Sequence, residues 1–94
     1  MELEASSGAP DDPNIADTVG WIHYKRGSHD LALSSFRKAA EVLSDNPTVL
    51  YHLGLAQVAR GKKGAAIETL AKALALNKEF PEALQAAAKL DELQ

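Results

Sequence analysis

The chain has 94 residues, which is room for one small domain. Ten Lys and Arg against thirteen Asp and Glu give a net charge of −3, a mild acidity that argues against a dedicated nucleic-acid binder. With no cysteine, disulfides, thiolate metal sites and cysteine nucleophiles are all excluded.

Hydrophobic residues make up 46% of the chain, aromatics only 5%, and alanine is abundant. That mixture suits closely packed helices better than a β-sandwich, which wants more Val, Thr, Tyr and Phe. No apolar run approaches the roughly 18 residues of a membrane span, and no basic-then-apolar start reads as a secretory signal. Together with the missing cysteine, this slightly favours a cytoplasmic location as an expectation.

Residues 1–12 carry Glu2, Glu4, Asp11 and Asp12 and no basic residue. Ala5-Ser6-Ser7-Gly8-Ala9-Pro10 has the composition of a disordered leader. A first helix follows, with Ile15, Ala16, Val19, Ile22 and His23 recurring at three- and four-residue spacing up to Arg26. Asp12 or Asn14 can cap it, and Pro13 suits its first turn because it has no N–H to leave unpaired. Gly27 supplies a left-handed stop and Ser28 a cap for a second helix running to about Leu43, with Leu31, Ala32, Ser35, Phe36, Ala39 and Val42 on one face. Ser44-Asp45-Asn46-Pro47 ends that helix and starts the next. Two more helices are predicted near 48–60 and 63–76, joined by Gly61-Lys62-Lys63-Gly64. Pro81 then opens a fifth over about 82–93, with Ala83, Leu84, Ala87, Leu90 and Leu93 as its stripe.

Pro13, Pro47 and Pro81 stand 34 residues apart. Laying 13–46 over 47–80 without a gap pairs seven identical residues: Pro13/Pro47, Gly20/Gly54, Arg26/Arg60, Gly27/Gly61, Ala32/Ala66, Lys38/Lys72 and Ala39/Ala73. Most are glycines, prolines and alanines, where sterics dictate identity. Gly20, Gly54, Ala32, Ala66, Ala39 and Ala73 are expected where the two helices of a hairpin cross, with Phe36 and Leu70 filling the wider gaps.

This gap-free unit of 34 residues resembles the tetratricopeptide repeat. The matching elements are Val19-Gly20 and Leu53-Gly54, Gly27 and Gly61, Ala32 and Ala66, Phe36 and Leu70, and Ala39 and Ala73. Two departures alter packing volume: Ala16 and Leu50 stand where the family has an early tryptophan, and His23 and Gln57 where it has a later tyrosine. The resemblance implies an all-α, right-handed solenoid of helical hairpins: repeats at 13–46 and 47–80, and a capping helix in 81–94. It also implies that 1–12 is either the leader read above or the remnant of an upstream repeat, the chain then being the C-terminal part of a longer repeat protein.

The resemblance further implies protein–protein binding on a concave face lined by the first helix of each repeat. Carried over residue by residue, that groove holds Asn14, Asp17, Thr18, Trp21, Tyr24 and Lys25 from the first repeat. Thr48, Tyr51, His52, Leu55 and Val58 come from the second, and Gln85 from the last helix. The single Trp and both Tyr fall in this set, and large aromatics on an open surface make good anchors. The bland reading is that Trp21 packs against an upstream helix or its own hairpin. Family members that grip the C-terminal carboxylate of heat-shock chaperones use Lys, Arg and Asn in the groove. Here Asp17, Trp21, Tyr51, His52 and Leu55 are mostly apolar or of the wrong charge. The expected ligand is an extended or helical segment with apolar side chains and a basic residue near Asp17.

An enzyme needs a constellation, and none is legible. His23, His29 and His52 lie 6 and 23 residues apart with no metal-binding spacing, so no cofactor or metal is expected. Gly61-Lys62-Lys63-Gly64 lacks the phosphate-loop pattern and follows a helix rather than a strand. Lys25, Arg26, Arg60, Lys62 and Lys63 gather near the hairpin turns and read as a solvated edge favourable to helix C-termini. The leading expectation is therefore an adaptor or assembly module that binds a peptide or protein segment. The alternative is the structural C-terminal end of a longer solenoid, docking on its own upstream repeats or forming a homodimer through Ile15, Val19, Ile22 and Phe36 at the N-terminal end of the stack.

Overall fold

A computed structural model describes residues 12–94 and contains five helices: α1 Pro13–Lys25, α2 His29–Val42, α3 Pro47–Ala59, α4 Lys63–Leu76 and α5 Ala83–Leu93. No strand occurs among the described residues. Reading of the acidic segment before Asp12 falls outside them. Helix α1 packs on α2 and α3 on α4 as hairpins, α2 meets α3 and α4 meets α5 between them, and α1 also touches α3. The chain is an all-α helical solenoid.

The helix boundaries follow from local chemistry. The Asp12 side chain accepts from the Asn14 N–H at 2.9 Å, and Asn46 accepts from the N–H groups of Thr48 and Val49 at 3.0 and 3.2 Å. Each caps a helix whose first residue is proline. The two hairpin turns are identical in kind. Gly27 and Gly61 adopt φ of 81° and 76°, the left-handed conformation that glycine takes without a Cβ penalty. Around them the Ser28 N–H donates to His23 O and Gly27 N–H to Tyr24 O, while Lys62 N–H donates to Gln57 O and Gly61 N–H to Val58 O. These paired bonds close the last turn of α1 and of α3 in the same way.

Glycine is required once more where helices cross. A Cβ on Gly20 would stand 2.6 Å from Phe36 Cε1, and one on Gly54 would stand 2.7 Å from Leu70 Cδ2. Phe36 and Leu70 are the largest fully buried side chains, and Ala32, Ala39, Ala66 and Ala73 are wholly covered. Small residues on one helix thus admit a large one from its partner, as the repeat predicts. Two core clusters result: Ala32, Leu33, Phe36, Leu53 and Ala56 in one, and Leu50, Leu70, Ala73, Phe80, Ala83 and Ala86 in the other. Half-buried Ala40 packs against both.

Several expectations are corrected. Phe36 is not part of an exposed end face: it fills the Gly20 gap and has no accessible surface. Leu31 and Val42 project to solvent, because α2 is covered by α1 and α3 on a narrower stripe than the one predicted. Leu84 is 85% exposed and contributes nothing to the core; the buried residues of α5 are Ala83 and Ala86. Helix α5 begins at Ala83, with Pro81 and Glu82 in the turn before it. Ser28 occupies the cap position of α2 but makes no side-chain capping bond.

Candidate functional site

Residues 17, 21 and 24 recur along one side of α1, and 48, 51, 52 and 55 along the matching side of α3. Contact between α1 and α3 brings these two rows together. At their centre, the His52 ring stacks on Trp21 with centroids 4.7 Å apart. Trp21 stacks in turn on Tyr24, 5.3 Å away and nearly parallel at 8°. Tyr51 lies 6.0 Å from His52, and Phe36 approaches the same imidazole from the core at 5.4 Å. A continuous aromatic surface therefore runs from Tyr24 through Trp21 and His52 to Tyr51, all four half-buried.

The polar groups around it are mostly engaged. His52 Nδ1–H donates to Asp17 Oδ1 at 2.8 Å, linking α3 to α1. The Asp17 side chain retains only 19% of its exposure, so the carboxylate expected to meet a basic ligand residue is already paired and largely covered. Lys25 Nζ sits 5.3 Å from the Trp21 ring centroid, close enough for a cation–π contact. Thr48 Oγ1 donates to Glu82 Oε1 at 2.9 Å, tying α3 to the turn before α5. The Tyr51 phenol is pushed above its ordinary pKa, chiefly by burial, then by the neighbouring Tyr24 and Glu82; Lys89 opposes the shift.

Of the residues expected on this face, Asp17, Trp21, Tyr24, Lys25, Thr48, Tyr51 and His52 are tied together by these contacts. Asn14 and Thr18 are exposed on α1, where Thr18 Oγ1 donates to the Asn14 carbonyl at 3.0 Å. Val58 is half-buried and Gln85 exposed. Leu55 is 8% exposed, which makes it part of the packed interior rather than a surface contact. Two residues were missed. Glu82 is the 34-residue counterpart of Thr48, and Lys89 that of Leu55; extending the repeat alignment into the last helix would have found both.

Trp21 and Tyr24 also pack against the first core cluster, and Tyr51 against the second. The aromatic row is thus both surface and support. The basic edge is partly neutralised, since exposed Arg60 pairs with Asp30, a contact worth little in solvent. Among the described residues, no group of three or more His, Asp or Glu side chains is placed to hold a metal ion, and no helix is long and apolar enough to cross a membrane.

The family model for the tetratricopeptide repeat matches residues 23–90, more than two thirds of the chain. No curated protein matches it.

Proposed function

The chain belongs to the tetratricopeptide repeat family, and from that premise we propose that it is an adaptor or assembly module whose concave face, built from α1, α3 and the start of α5, binds a peptide or protein segment. Repeats of this family mediate protein–protein interaction and are not catalytic. The observation that carries the reading is the aromatic row Tyr24, Trp21, His52 and Tyr51, half-buried along one side of two adjacent helices. Such rings remove much apolar area from water at little cost in rotamer entropy. The favoured ligand is an extended or helical segment with apolar side chains. Asp17 is occupied by His52, so the ligand gains little from a basic residue there.

Because Trp21 supports the core as well as the surface, Trp21→Leu is a better probe than truncation to alanine. Panning a random peptide library on the wild-type protein supplies a defined ligand, and titration of that peptide gives an affinity. Trp21→Leu and Tyr51→Leu are each expected to weaken it by roughly 30-fold or more, the range of an interface hot spot. Lys38→Glu, on the exposed side of α2, is expected to leave it unchanged. Peptides that bind wild type and both groove variants alike would remove the groove as the binding surface.

A further inference from the structure

On the side of α1 turned away from the aromatic row, Ile15, Val19 and Ile22 are 45%, 37% and 48% exposed. Their counterparts 34 residues on are Val49, Leu53 and Ala56, which are 3%, 8% and 0% exposed on a helix that packs against α2. The outer face of α1 therefore has the composition of a surface that lies against another helix.

Its pattern is close to symmetric. Val19 is the central residue of α1, with Ile15 four residues before it and Ile22 three after. The ends carry opposite charge: Asp12 caps the N-terminus, while Lys25 and Arg26 stand at the C-terminus. Two such helices laid antiparallel set Val19 against Val19, Ile15 against Ile22 and Asp12 beside Arg26 of the second copy. A parallel arrangement would set like charges together at both ends. We propose that the chain self-associates through this face, two copies pairing antiparallel across α1 about an axis near Val19. The interface is isologous, so it closes at the dimer. It leaves both aromatic rows outward and stands or falls independently of the groove.

The chain has no cysteine, so single cysteines report position without interference. Sedimentation of the full chain over about a hundredfold range of concentration is expected to show a mass rising from 10.0 kDa toward twice that value. Under mild oxidation Val19→Cys is expected to cross-link readily. Ile15→Cys and Ile22→Cys alone are not, because they lie about 12 Å and about 9 Å along the axis from their own copies, beyond the reach of a disulfide. An equal mixture of those two variants is expected to cross-link. Val19→Glu, a change at a partly exposed position whose folding is checked by circular dichroism, is expected to hold the chain monomeric. A mass near 10.0 kDa throughout, a dimer that survives Val19→Glu, or cross-linking strongest at 15 with 15 and 22 with 22 would each overturn the proposal.

Discussion

At the residue scale, the two hairpins close the same gap with different side chains: Phe36 over Gly20, and Leu70 over Gly54. A methyl group at either glycine meets carbon atoms inside 3 Å, and Leu70 offers its Cγ at 2.9 Å as well as a mobile methyl. Gly→Ala inside a helix ordinarily stabilises by up to about 1 kcal/mol. Here overpacking of about 1–3 kcal/mol is expected to outweigh it, so Gly20→Ala and Gly54→Ala should both lower the Tm. The opposite sign is expected at Gln57. That side chain is 8% exposed and its Oε1 has no hydrogen-bond partner. Gln57→Met, of similar shape, removes the stranded acceptor and is expected to raise stability by about 1 kcal/mol in chemical denaturation. Tyr51 makes a prediction in pH. Its phenol ionises at higher pH in the folded chain than in the unfolded one. The folded state thus holds the proton longer, and this stabilisation is complete below the ordinary phenol pKa of about 10 and is lost as pH rises through the folded value. Stability measured across that alkaline window should fall less steeply in Tyr51→Phe than in wild type.

At the element scale, capping separates helices that look alike in sequence. Asn46 makes two side-chain bonds to the start of α3, whereas Ser28 makes none to α2. Asn46→Ala is expected to cost about 1 kcal/mol, while Ser28→Ala should cost a few tenths or less; equal losses would contradict these cap geometries. Helix starts, the left-handed glycines and the small-over-large crossings were legible because short-range sterics settle them within one or two turns. The 34-residue register carried the same information twice. Legibility failed where the register ends. Phe80 aligns with the cap residue Asn46, yet it is buried in the second core cluster, and α5 starts two residues after Pro81. Leu84 matches buried Leu50 in the repeat but is 85% exposed; Leu50 owes its burial to Phe80, Ala83 and Ala86, which share its core cluster.

At the scale of the whole molecule, Ala40 packs against both core clusters, the Asp17–His52 bond crosses from α1 to α3, and the Thr48–Glu82 bond ties α3 to the turn before α5. These links make the chain one cooperative unit. Phe36→Ala is therefore expected to cost about 3–5 kcal/mol and to lower the melting of all five helices in a single transition, as followed by circular dichroism and by Trp21 emission together. The position of the aromatic row was legible from the repeat. Its polar pairing was not, because the 2.8 Å contact of His52 with Asp17 depends on how closely α1 and α3 approach, which no spacing encodes. That pairing removes the basic residue near Asp17 from the expected ligand and leaves its apolar side chains as the recognised feature. The central claim is that binding takes place on the face of α1 and α3, and amide chemical-shift mapping with the library-selected peptide tests it most directly. The expected result is a set of shifts confined to Asp17, Trp21, Tyr24, Tyr51, His52 and their neighbours. Shifts centred instead on the outer surface of α2 and α4, at Arg37, Lys38 and Lys72, would contradict it.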